Sequence, residues 1–455
     1  MRFNAKSSPS RAAFEALESR QLLSGVSLTI TPLNVSGGVQ LQILGTPGND
    51  QITVDQTADG LVVGNAGGWT QTFPDLIASI RIDGGAGNDS ILLTPAVTQN
   101  ATLFGGAGND TLAGGSGDDA LYAGPGNNIL NGGDGNDTLV CLGSTRDTLS
   151  GGNGRDRFWT DNTTAEKVTD LTRDEGGDLH RVGNINISGA ASTKKVSSAT
   201  IAKQLNTSSL SEPLVDNSSF TYRDFSGNVL FSAAGPSPDD VNQGDIGDCY
   251  FLAALSAVAK SDAWRLRQII LDLGDGTYLV QMSHRGASVF ERVDARLPVT
   301  QSGYLAYAGL GEQGSLWAAL MEKAWCAVRS SANSYASIDS GWMDEAFGAL
   351  GASSTGIYSA ANGQALLTLI QKQLAAGKAV TFATNVAPDD SPLLSGHAYE
   401  VDSVNLDANG VPVSMRLRNP WGVDGAGNDG NDDGYVTITA AQAMNSFLGM
   451  VSAYV

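Results

Sequence analysis

Positive charge, cysteine and histidine are all scarce in this 455-residue chain, and each scarcity excludes something. Lys and Arg number 27 against 47 Asp and Glu, a formal charge of −20. Phosphate binding needs clustered Lys and Arg, so nucleic acid is excluded as a partner. No lysine stands between Lys6 and Lys167, where the carboxylates are mostly Asp. Such a surface repels anions and suits a divalent cation. The three cysteines, Cys141, Cys249 and Cys326, are widely spaced and odd in number, which excludes a disulfide framework. No apolar run approaches the roughly 18 residues of a membrane span, so no span is expected and the chain reads as soluble. With 41% apolar and 16% charged residues, it is neither a wholly disordered chain nor a coiled coil. The length suits about three ordinary domains.

What is present begins with a repeat. GGAGND (84–89), GGAGND (105–110), GGSGDD (114–119), GGDGND (132–137) and GGNGRD (151–156) recur, with weaker copies at 123–128 and 142–147. An apolar residue falls two places after each Asp or Asn: Leu112, Leu121, Leu130 and Leu139 at nine-residue intervals, then Leu149 and Phe158. Paired glycines allow a tight turn, the Asp offers oxygen ligands for calcium, and a short strand points one apolar side chain inward. Units of this kind stack into a parallel β-roll in which each completes its neighbour. A flexible Gly-rich linker would not keep the register. The repeats resemble RTX-type calcium-binding repeats, which implies Ca²⁺ at Asp89, Asp110, Asp119, Asp137 and Asp156. The copies with Asn128, or without a glycine pair near Thr145, are expected to bind it poorly.

Residues 27–82 alternate apolar and polar positions and read as strands entering the same solenoid. Residues 161–222 are Ser/Thr-rich with little periodicity and read as a linker or pro-segment. From residue 223 the composition becomes that of an α+β domain. The N-terminal stretch lacks the apolar core of a Sec signal. Within it, FEALESRQLLSG resembles the sorting segment of planctomycete surface and exported proteins, which implies export and an extracellular or cell-surface location. The expected organisation is therefore a sorting segment (1–26), a β-roll (27–160), a linker or pro-segment (161–222) and a second domain (223–455).

Within that last domain, QGDIGDCYFLAAL (243–255) places Cys249 where a Gly-rich turn meets a helical apolar run. A helix N-terminus favours thiolate over thiol, although a buried core cysteine is open as the alternative. A thiolate protease also needs an imidazole and a group to orient it. Of three histidines, His180 and His284 read as solvated or packing residues. His397, in SGHAYEV, stands at the start of a strand. Asn419 follows in RLRNPWG, and Gln243 precedes the cysteine by six residues, where its amide can face an oxyanion. His397 lies 148 and Asn419 170 residues after Cys249, the order and approximate spacing of papain-like proteases.

DDVNQGDIGDCYFLAALSAVA resembles the nucleophile motif of calpain proteases. GSLWAALMEKAWCAVRSSANSYASIDSGWMDEAF resembles their helical segment, GHAYEV their histidine motif and LRNPWG their asparagine motif. This resemblance implies a papain-like fold with a helical lobe around Cys249 and a β-rich lobe carrying His397 and Asn419. It implies Cys249 as nucleophile, His397 as general base and acid, Asn419 as ring orienter, Gln243 as oxyanion donor and Trp421 as a cover over the Asn–His bond. It further implies core calcium sites at Asp240 and Glu345, the latter through EAF in place of the family's EGF. The Asp-rich loop 423–434 replaces the usual Glu-Trp, so a β-lobe calcium site does not carry over. Cys326 reads as core and Cys141 as a buried spectator.

The expectation is a multidomain protein: an all-β solenoid followed by a papain-like α+β protease. Its function would be calcium-dependent hydrolysis of protein or peptide substrates through a Cys249 thioester, at or outside the cell surface. The alternative is a non-catalytic calcium-binding surface or adhesion protein with a protease-like binding module.

Overall fold

The computed structural model describes the chain except for residues 1–19, 22–26, 33–38, 66–67, 69, 74–76, 145, 174, 176–177, 189–192, 198–209, 331, 389–390 and 426–431. The sorting-segment resemblance falls almost wholly outside the described residues. The chain forms two compact units divided for the most part after Gly183. Among the described residues no helix is long and apolar enough to cross a membrane.

The first unit is a β-solenoid. Successive short strands from Ser90–Leu93 to Leu179–Val182 alternate between a nine-stranded and an eight-stranded sheet. One coil therefore consumes two nine-residue units. In one sheet Ile52, Ile91, Leu112, Leu130 and Leu149 stand opposite one another in parallel register. In the other, Leu103, Leu121, Leu139 and Phe158 do the same. All are buried in a single core, as the nine-residue spacing requires, because only the central residue of a three-residue strand can point inward.

The solenoid does not stop where the GGxGxD units do. Lys167–Val168 pairs with Thr148–Leu149, and Leu179–Val182 pairs with Phe158–Asp161. His180 lies there, buried and stacked on Trp159 at 4.2 Å between ring centroids, a packing role. Beyond it, Asn184–Ser188 joins the second unit, running parallel to Ala287–Asp294. Leu214 exchanges backbone hydrogen bonds with Asn333 and Tyr335, and the Glu212 carboxylate accepts from the buried Lys323 Nζ at 2.6 Å. Asn184–Ser188 and the segment around Glu212 and Leu214 are thus bonded into the second unit.

That unit has two cores. One surrounds the helices Cys249–Ser261 and Trp317–Arg329, with Phe251 stacked on Trp325 and Cys326 fully buried. The other fills a six-stranded antiparallel sheet containing Ala379–Thr384, Ala398–Leu406 and Pro412–Arg418. The Cys249 helix forms because YFLAALSAVAK is rich in strong helix formers. Its Ala and Leu side chains are buried. Ala383 and Ala398 of the sheet share the helical core, so the small side chains let helix and sheet approach closely.

Candidate active site

Cys249 is the first residue of its helix, and Asp248 stands at the N-cap position without a side-chain bond to the helix. The turn before it is tight for a reason of space: a Cβ on Gly244 would stand 2.4 Å from the Tyr307 carbonyl oxygen. The Gln243 backbone N–H crosses to the Pro420 carbonyl at 2.7 Å, which fixes this turn against the NPWG segment. Cys249 and His397 both line a cleft of about 430 Å³, with Gln243, Gly341 and Trp421 among its walls. A second recess of about 450 Å³, bounded by Trp342, Met343 and Leu448, opens from the same pair. The Ala398 N–H, next to His397, faces the Cys249 sulfur and favours its thiolate.

His397 and Asn419 meet: Nε2 of the ring lies 2.8 Å from Oδ1 of the amide. The same oxygen accepts from the Trp421 N–H at 3.1 Å, while Asn419 Nδ2 donates to the Val423 carbonyl at 2.9 Å. Trp421 stands edge-on to the imidazole, centroids 5.3 Å apart. It is 40% exposed, a wall of the cleft rather than part of the core. Gln243 lines the cleft, but its Nε2 donates to the Ile246 carbonyl at 2.5 Å rather than into the cleft.

The thiol is not acidified by the helix end alone, as the sequence suggested. Burial outweighs that effect and pushes Cys249 up to about 11, with the Asp248 carboxylate adding to it. Burial likewise holds the His397 imidazole below its ordinary value, against the bond to Asn419. Each shift penalises one charge taken singly. Moving a proton from sulfur to imidazole creates both charges together and leaves the net charge of the cleft unchanged.

Sequence reading missed what lies under the nucleophile. Asp248 and Glu322 are both fully buried with their carboxyls facing each other, and both are raised by burial. Glu322 accepts from the Ala308 N–H with both oxygens, at 3.1 and 3.0 Å. An adjacent Glu322–Lys323 pair inside the mainly apolar run WAALMEKAW was the available signal.

The aspartates of the repeats are buried and form two ladders. Asp89 Oδ1 accepts from the Asp50 N–H, Asp110 Oδ1 from Asp89, Asp137 Oδ1 from Asp119 and Asp156 Oδ1 from Asp137, each at 2.8 Å. Asp119 accepts from Ala101 and Gly115. The Oδ2 atoms of Asp89, Asp110, Asp137 and Asp156 are buried without a hydrogen-bond partner. A Cβ on Gly84 would meet Asp89 Oδ2 at 2.6 Å and the Gly105 carbonyl oxygen at 2.7 Å, so acceptor oxygens converge with no donor between them. Burial raises Asp119 to about 7, Asp137 to about 8 and Asp156 to about 6. A cation among such oxygens fits this chemistry. Among the described residues no three acidic, histidine or cysteine side chains form a metal cluster, so carbonyl oxygens would have to complete any shell. Cys141 is buried beside Asp147 with its thiol raised well above the ordinary value.

The two core carboxylates fit a cation less well. Asp240 accepts from the Ser237 N–H, the Glu312 N–H, Ser315 Oγ and Trp317 Nε1. Glu345 is 41% exposed and forms a two-point ion pair with Arg329. Both are engaged by donors of the chain itself.

Residues 220–432 match the calpain family cysteine protease profile. Residues 81–92, 104–139 and 143–162 match the RTX calcium-binding nonapeptide repeat. The protease part is 30% identical over 210 residues to calpain-8 of Mus musculus, covering 43% of this chain and 29% of that protein. It is 30% identical over 220 residues to calpain clp-4 of Caenorhabditis elegans, covering 44% and 30%. Against the calpain-2 catalytic subunit of Gallus gallus the identity is 29% over 208 residues, covering 42% and 29%. The chain spans less than a third of the length of these relatives. It carries a calpain-family cysteine protease domain together with a set of RTX calcium-binding repeats.

Proposed function

We propose that this protein is a calcium-dependent cysteine endopeptidase, secreted or held at the cell surface, with the β-roll as its calcium-loaded stability or localisation module. The observation that carries this reading is the His397–Asn419 bond in the cleft that also receives Cys249. With Nε2 directed at Asn419, the Nδ1 lone pair is left to take the thiol proton. Cys249 Sγ attacks the peptide carbonyl carbon. The oxyanion is held by N–H groups at the start of the Cys249 helix, which have no intrahelical acceptor. Gln243 joins them on releasing Ile246. His397 returns the proton to the leaving amine, then activates a water that hydrolyses the thioester and frees the sulfur.

Calcium, when bound, would supply the positive charge missing between the converging oxygens of the repeats, held by Asp89, Asp110, Asp119, Asp137 and Asp156 with turn carbonyls. At Asp240 and Glu345 it would first have to displace the present hydrogen bonds. The test is Cys249→Ala, assayed on unfolded casein with calcium. Loss of cleavage in a folded variant supports the reading, and retained cleavage rejects it. A wild-type protein whose Cys249 ignores epoxide thiol inhibitors would favour the binding-module alternative.

A further inference from the structure

The nucleophile and its histidine sit on different elements, whose mutual register has to be held. The Cys249–Ser261 helix lies against the Ala398–Leu406 strand along its length. Cys249, Ser256 and Lys260 share one helix face, spaced at seven and four residues. Ala398 and Glu400 share one strand face, spaced at two, and Asp402 follows at a bulge in the strand. The rows meet in order: Ala398 faces the Cys249 sulfur, Ser256 Oγ donates to Glu400 Oε2, and Lys260 Nζ pairs with Asp402.

Glu400 is the centre of this row. Its side chain is 1% exposed, and Oε1, which has no hydrogen-bond partner, lies 3.9 Å from Lys260 Nζ. On the neighbouring strand its cross-strand partner is Arg418, the residue before Asn419. Arg418 donates in turn to the Val241 carbonyl at 2.9 Å and to Asp239 at 3.2 Å, just ahead of Gln243. The other charged or titratable groups facing Glu400 are Asp402 and Tyr435. A buried carboxylate with one short bond and an orphan oxygen is costly unless its place is fixed by what surrounds it.

We propose that Glu400 is a positioning residue: through Ser256 and Lys260 it locks the helix of Cys249 onto the strand that follows His397, and so sets the sulfur against the imidazole. This rests on the protease reading for its effect on turnover but not for its effect on Cys249 itself. Both other cysteines are fully buried, so alkylation reports on the nucleophile.

The experiment compares the full-length wild type with Glu400→Ala, Glu400→Gln, Ser256→Ala and the Ser256→Ala/Glu400→Ala double variant. The readouts are kcat and KM on casein, melting temperature, and the pH–rate profile of iodoacetamide alkylation at Cys249, mapped by mass spectrometry. Glu400→Ala should lower kcat about tenfold or more with KM nearly constant, since small misplacements of reacting groups cost that much. Its alkylation profile should move to higher pH, because the strand that turns the Ala398 N–H toward the sulfur loses its register with the helix. Glu400→Gln, which still reaches Ser256, should recover most of the loss, and the double variant should be no worse than Glu400→Ala. A folded Glu400→Ala whose alkylation profile superimposes on the wild type overturns the proposal, as do additive losses in the double variant. Should Glu400→Ala fail to fold, Ser256→Ala decides by the same displacement or its absence. Should the wild type cleave no protein, the protease reading falls, and the alkylation profiles alone still decide the role of Glu400.

Discussion

Asn419 dictates the tautomer of His397. Its Nδ2 faces the Val423 carbonyl at 2.9 Å and the Asp424 carbonyl at 3.4 Å, so only its oxygen is left for the ring, and Nε2 must carry the hydrogen. Replacing Asn419 by Ala frees the ring to rotate and to change tautomer. We expect kcat to fall by roughly one to two orders of magnitude with KM little changed, the pattern of a lost orienting group. Asn419→Asp should not restore it, because a carboxylate cannot donate to the two carbonyls. Steady-state kinetics on a peptide substrate checks both.

Asp248 and Glu322 share a buried site that cannot hold two charges at once. As the pair ionises with rising pH, the added negative charge beside Cys249 opposes the thiolate. Asp248→Asn removes that opposition. Alkylation rates of wild type and variant should coincide in mild acid and separate above neutrality, the variant being faster. Coincident profiles across the whole range would remove Asp248 from any influence on the sulfur.

Without calcium, the repeat aspartates are acids whose folded pKa values, about 6 to 8 at Asp156, Asp119 and Asp137, lie above the ordinary carboxylate value near 4. The folded state then binds more protons than the unfolded one, so stability falls as pH rises through that window. In chelator, the melting temperature of the solenoid should be higher at about pH 5 than at pH 8. Calcium, competing with those protons, should remove the decline or reverse it. Thermal melts by circular dichroism at the two pH values, with and without calcium, give the answer.

The three-residue strands in the middle of the solenoid each put one large apolar side chain, such as Leu112 or Leu121, into its core, so a single truncation should be felt. Leu121 is fully buried between Leu103 and Leu139. Leu121→Ala should cost about 2–5 kcal/mol, the range for large-to-small changes in packed cores. Denaturant unfolding of the full chain, followed at its first transition, measures it.

The parts that could be read in advance were those fixed by local chemistry. Leu112, Leu121 and Leu130 announced the solenoid because each repeat obeys the same nine-residue rule. Cys249, His397 and Asn419 stood out because acyl transfer needs those side chains in one place. Long-range pairing was not legible. Leu179–Val182 extends the solenoid without the GGxGxD spacing of the repeats, and Asn184–Ser188 finds its partner about a hundred residues downstream. Nothing local in HAYEVDSV marks Glu400 as buried, because its partner Ser256 lies 144 residues away in sequence. Asp240 matched a calcium position by motif, and only the fold revealed four donors already around it. The thiol's helix position was readable, whereas the burial that opposes its ionisation was not.

The strand Asn184–Ser188 and the Glu212–Leu214 segment bear on how a catalytic fragment could be cut out. A boundary drawn at residue 220, where the family match begins, would strip two strands from the five-stranded sheet. It would also take from the buried Lys323 ammonium one of its two carboxylates, leaving only Asp294. Fragments that begin upstream of Asn184 should fold, and shorter ones should expose a raw sheet edge and precipitate.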